Sequence, residues 1–217
     1  MTLSAYEISE AYVERNIAKL KNILLKIQCT KSAQKDLVSL RLDKIRIEAV
    51  IKLIDPSFVI SLHDITYLVK YLLNLKGWGQ YEIMLLGYTA ILITPSDLSK
   101  LADRLIAPTM TDFNLPVIKL DTYRALLNII DVFTEKKLYT EANRYIQFLK
   151  KDNIHDYFIY EKLTLIYSEA MLKFISGEQE SLDTLKECQK NFFCDCFNMA
   201  NVIEHEITEL EKKYGRN

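Results

Sequence analysis

The side chains best suited to chemistry are few and scattered. Cys194-Asp195-Cys196 brings two thiols close in sequence, while His63, His155 and His205 stand far apart. Zinc sites usually draw on two Cys-x-x-Cys pairs. On a helix, residues two apart point about 200° away from each other, so both sulfurs cannot face one metal. Thiols packed beside Phe192, Phe193 and Phe197 are the simpler reading. Glu178 and Glu180 flank a turn and read as solvated. The chain has no Gly-rich phosphate loop, no nucleophile elbow and no His-Glu-x-x-His run. Nothing in it requires a catalytic centre, a metal or a cofactor, so a binding protein is expected rather than an enzyme.

The residues suited to recognition are more telling. Tyrosine occurs 13 times and phenylalanine 9 times; tyrosine joins an apolar body to a polar tip, which serves binding surfaces as well as cores. Asn128 stands among Leu126, Leu127, Ile129 and Ile130, where an amide is costly unless it has a partner. Arg124, one turn earlier, shares its face. A bond from Asn128 to a neighbouring carbonyl and a surface ion pair for Arg124 are the structural alternatives.

The elements that must position these residues are helices. Apolar residues recur three and four apart through Leu20–Ile27, Leu42–Leu53, Leu62–Leu75, Leu126–Phe133, Ala142–Leu149 and Leu163–Phe174. The breaks carry helix-end chemistry. Asp55-Pro56 stops one helix, and Ser61 to Asp64 reads as a capping box. Thr94-Pro95-Ser96-Asp97 offers an N-cap followed by proline at the first helical position. Gly77-Trp78-Gly79 makes a corner, and Gly177 separates two late helices. The expected helices run roughly 4–28, 33–54, 62–76, 80–93, 96–106, 117–136, 139–151, 156–176, 180–196 and 198–214. The fold class is all-α: a tetratricopeptide-like (TPR-like) α-solenoid, a superhelical array of antiparallel helix pairs forming one domain over 1–217. Tyr123 to Lys150 makes a fair repeat, with Ala142 at the close crossing, and Tyr160 to Phe193 a loose one. In the last helix, Met199, Ile203, Leu210 and Tyr214 share a face that either caps the array or meets a second copy.

Bulk properties narrow the classes further. The net charge is −1, which gives nucleic acid or an anionic membrane no electrostatic purchase. No window is long and apolar enough to span a membrane, no signal peptide opens the chain, and four cysteines form no disulfide framework. A cytoplasmic protein is expected.

The run Tyr71 to Gly87 is the most distinctive part of the chain. Trp78, the only tryptophan, can wedge between two helices, and Glu82 complements the next helix dipole. This run resembles the C-terminal domain of the Rgg/GadR/MutR family of bacterial transcription regulators. The match lies in Trp78, Tyr81 and Glu82, then Leu126-Leu127-Asn128 and Tyr139 to Ala142, over about residues 35 to 195. The resemblance implies a helical-repeat regulatory domain that binds a short hydrophobic signalling peptide in a concave groove and forms a homodimer, as in quorum sensing. The candidate peptide-binding residues are then Asn128, Arg124, Asn74 and Tyr167, with Tyr81 and Tyr88 as pocket walls and Trp78 and Glu82 as the structural corner. The family's helix-turn-helix is expected to be absent, because residues 1–60 are too few for it, so DNA is a partner only through another domain. The rival reading is a TPR-like scaffold that docks a folded protein and takes no small ligand.

Overall fold

A computed structural model describes residues 5–29, 37–107, 116–195 and 197–215. Helix follows helix: α1 (Ala5–Val13), α2 (Ile17–Cys29), α3 (Leu37–Ile54), α4 (Leu62–Asn74), α5 (Gln80–Thr89), α6 (Pro95–Ile106), α7 (Pro116–Glu135), α8 (Tyr139–Asp152), α9 (Ile159–Ile175), α10 (Ser181–Asp195) and α11 (Phe197–Tyr214). No strand occurs among the described residues. None of their helices is long and apolar enough to cross a membrane. The chain divides into two units, 1–125 and 126–217, and the division falls inside α7.

The first unit is organised on α3. The unbroken run Ile45 to Ile51 is buried, as expected of a helix covered on several sides. Ile47, Val50 and Ile51 pack with Ile8, Ala11, Leu20, Ile23 and Ile27 of α1 and α2. The expected single helix over 4–28 is two helices, because Arg15 adopts the left-handed region at φ 50°. The Asn16 side chain then accepts from the Lys19 backbone N–H at 2.9 Å, capping α2.

Two further expectations shift at α4. Ser61 occupies the N-cap but makes no side-chain cap bond. Asp64, its expected capping partner, is 7% exposed and turned toward α3, while Leu62, expected on the apolar stripe, is 79% exposed. The cause is electrostatic. Arg41 and Lys44 of α3 each reach an Asp64 oxygen at 2.7 Å, and charge-assisted bonds of this kind outweigh one leucine's burial. Elsewhere the end signals act as expected. The Thr94 hydroxyl accepts from the Asp97 N–H with Pro95 at the first helical position, α3 stops at Ile54 before Pro56, and Gly177 takes φ 104° after α9.

The second unit has two packed layers. Leu126, Ile130, Phe133, Ala142, Tyr145 and Ile146 are fully buried between α7 and α8. There Phe133 and Tyr145 stack with centroids 5.9 Å apart. Tyr167, Ala170 and Phe174 of α9, with Leu185, Cys188 and Phe192 of α10, form a second cluster that Ala200, Ile203 and Ile207 of α11 complete. Leu210 and Tyr214 pack against it. The apolar face of α11 thus covers its own unit. Ile203 is buried there, and the Met199 side chain lies outside the described residues, as do those of Cys194 and Cys196. Burial, helped by Glu187, pushes the Cys188 thiol up to about 11.

Candidate ligand-recognition site

Helix α7 is buried on most of its circumference, since Ile118, Tyr123, Ala125, Leu127, Ile129 and Val132 all face protein. Beyond its first two residues, what it leaves exposed is one polar stripe: Arg124, Asn128, Asp131 and Glu135. The steps of four, three and four residues hold the stripe on a single face. Sequence periodicity located its first half. Its second half was missed, although the argument for Asn128 applies equally to Asp131, a carboxylate between Ile130 and Val132.

The stripe has unusual electrostatics in its second half. Surrounding protein raises the Asp131 carboxyl first, the charges of Glu206 and Glu135 add to this, and the result is about 8. Asp131 is itself exposed to solvent, and hydration of its charge opposes this shift. Burial and then Glu206 likewise raise Glu135, with Lys136 acting in the opposite direction. Glu206 comes from α11, where it accepts the Tyr167 hydroxyl of α9 at 2.6 Å. Burial and that carboxylate hold the Tyr167 phenol far above its ordinary value.

The other expected binding residues are distributed around the fold. Tyr167 is buried and donates its hydroxyl to Glu206 of α11 at 2.6 Å. Tyr81 is half-buried on α5, donating to Asp43 of α3 at 3.2 Å, and burial followed by Asp43 raises its phenol. The Tyr88 and Ser9 hydroxyls share a hydrogen bond of 3.0 Å. Asn74 is exposed at the last position of α4. Of the expected set, then, Arg124 and Asn128 share one face of α7, Tyr167 is buried on α9 with Glu206 as its partner, and Asn74, Tyr81 and Tyr88 belong to the α1–α5 part of the first unit.

The corner residues have a defined structural task. Trp78 is 5% exposed between α4 and α5. Glu82 ties the corner at two points: Oε2 accepts from the Gly79 N–H at 3.0 Å, capping α5, and Oε1 accepts from the Tyr71 hydroxyl of α4 at 3.0 Å. Burial and Glu82 push the Tyr71 phenol up to about 12. Arg104 of α6 donates to the Leu73 and Leu75 carbonyls at the end of α4. A Trp-x-x-Tyr-Glu run therefore places the wedge just before α5 and the clamp in its first turn. Among the described residues, no group of three metal-binding side chains gathers.

The model of the family "HTH-type transcriptional regulator Rgg, C-terminal domain" matches residues 9–213. Among solved structures, the chain is similar to the SHP pheromone receptor Rgg2 of Streptococcus dysgalactiae, at 20% identity and TM-score 0.69, over 94% of this chain and 73% of that one. It is also similar to a transcriptional regulator from Listeria monocytogenes EGD-e, at 11% identity and TM-score 0.75, covering 98% and 74% of the two chains. A third likeness is to RopB, at 15% identity and TM-score 0.62, over 96% and 92%. At these identities the structures speak to the fold, an all-α TPR-like array.

Proposed function

The chain belongs to the Rgg C-terminal domain family of transcription regulators, and from that premise we propose that it senses a short hydrophobic peptide along the exposed stripe of α7. One observation carries the reading: a helix buried on most of its circumference keeps Arg124, Asn128, Asp131 and Glu135 in reach of solvent. An extended peptide must find partners for its backbone N–H and C=O groups, because each one buried without a partner costs about 1–3 kcal/mol. Arg124 can donate to peptide carbonyls, and Asn128 can both donate and accept. The similarity to a pheromone receptor supports the same class of ligand. Binding then shifts the domain between two states, and a DNA-binding part of the regulator reads the shift.

A thermal melt against short hydrophobic peptides tests this. A peptide at about 100 times its Kd adds roughly 2.7 kcal/mol, which raises Tm by about 5–10 °C for a domain this size. Asn128→Ala and Arg124→Ala are expected to reduce that rise while leaving the ligand-free melt and the helical CD spectrum nearly unchanged. No sequence-selective rise with any peptide, or variants that simply unfold, would refute the assignment.

Dimerisation is part of the proposal, and sedimentation equilibrium measures it. With Ile203 committed to the core, a second copy needs another face. Tyr157, in the turn before α9, and Ile159, its first residue, are 85% and 65% exposed and apolar enough to serve. The same two residues favour the scaffold reading, in which a folded protein docks there and peptides have no effect.

A further inference from the structure

Building on the peptide reading, we infer that the stripe of α7 fixes the direction and the length of its ligand, taking a carboxylate at the Arg124 end and an ammonium at the Asp131–Glu135 end. The four residues lie on one continuous helix, Pro116–Glu135, so their order in space is their order in sequence. At 100° per residue they fall within about 60° of one another round the axis. Their chemistry changes in one direction only: cation, neutral amide, carboxylate, carboxylate. All four are exposed. The flanking charges leave that order intact. Asp121, one turn before Arg124, is 8% exposed and accepts from the Gln80 amide of α5 at 2.8 Å. Lys136 follows Glu135 but lies about 100° further round the helix.

The spacing sets a length. A helix rises 1.5 Å per residue, which puts Arg124 roughly 10 Å from Asp131 and roughly 16 Å from Glu135 along the axis. An extended chain covers about 3.3 Å per residue, so opposite charges about three to five residues apart match the stripe. A peptide of that length with free termini carries them. It runs antiparallel to α7, its N-terminal ammonium beside Asp131 and Glu135 and its C-terminal carboxylate beside Arg124. A basic and an acidic side chain at the same separation in a longer peptide present the same charges. A carboxylate suits Arg124 better than a lone carbonyl, because the guanidinium offers paired N–H groups to two oxygens. Asn128, between the two ends, meets the peptide backbone with both a donor and an acceptor. The Asp131 carboxyl lies above its ordinary value in the free protein, and an ammonium brought beside it favours the ionised form.

Thermal melts of the full chain against a pool of pentapeptides of leucine, isoleucine and valine test this, with the termini free, N-acetylated, C-amidated or both. Each cap is expected to raise the concentration needed for a given rise in Tm by about three- to tenfold. The loss should follow the residue: acetylation ceases to matter in the Asp131→Asn/Glu135→Gln double variant, and amidation ceases to matter in Arg124→Gln. A doubly capped pool with lysine first and glutamate fifth separates the sources of charge. Recovered affinity assigns the stripe to side-chain and terminal charges alike, and no recovery assigns it to the termini. Caps that change nothing, while free peptides still raise Tm, overturn the proposal and leave the peptide reading standing. A pool that raises Tm in no form removes both. The capping comparison uses the wild type, so it decides even where a variant fails to fold.

Discussion

Single atoms decide several contacts in this fold. Gly87 on α5 comes so close to α7 that an added Cβ would stand 3.1 Å from the Ala125 Cα and 3.3 Å from its Cβ. Alanine at this position would gain about 1 kcal/mol of helix propensity, but crowding a packed contact costs about 1–3 kcal/mol. Ala125 is 2% exposed in the middle of a long helix, so the neighbour cannot give way cheaply. Gly87→Ala is therefore expected to lower stability, read as a drop in the denaturation midpoint with an unchanged m-value. Residue-scale legibility was uneven for a related reason. Asn128 and Arg124 could be read because their neighbours in sequence set their face. The Tyr167–Glu206 bond could not, because its partners stand 39 positions apart and nothing local couples them. The same holds for Asp64, whose inward turn is set by α3.

At the scale of elements, helix ends that rely on their own chemistry were readable, and ends that rely on a backbone accident were not. Thr94-Pro95, Asp55-Pro56 and Gly177 announce themselves through capping, a missing N–H and left-handed freedom. The α1–α2 break rests on Arg15, and arginine carries no such signal. The α4–α5 corner sits between these cases: its tryptophan was conspicuous, but the clamp beneath it was not. Glu82→Ala removes both the cap on Gly79 and the acceptor for Tyr71. It is expected to cost about 1–3 kcal/mol, a Tm loss of roughly 2–4 °C per kcal/mol at this size. Glu82→Gln keeps an acceptor and should recover part of that in the same melt.

At the scale of the whole molecule, the fold class was legible because periodic apolar stripes and scarce glycine and proline leave few alternatives to stacked helices. The division into two units was not, since it falls within α7 and leaves no linker in the sequence. A helix continuous through the division gives both units an interest in its integrity, for unfolding either one would strip neighbours from half of it. The sole tryptophan turns this into an optical experiment. Trp78, 5% exposed in the first unit, makes the chain's intrinsic indole emission a local signal, whereas far-UV ellipticity averages over all the helices. Titrating with urea while recording both should give superimposable curves with emission moving to the red, the mark of one cooperative transition. Curves that separate would instead let the two halves be dated independently, without any label being added to the protein.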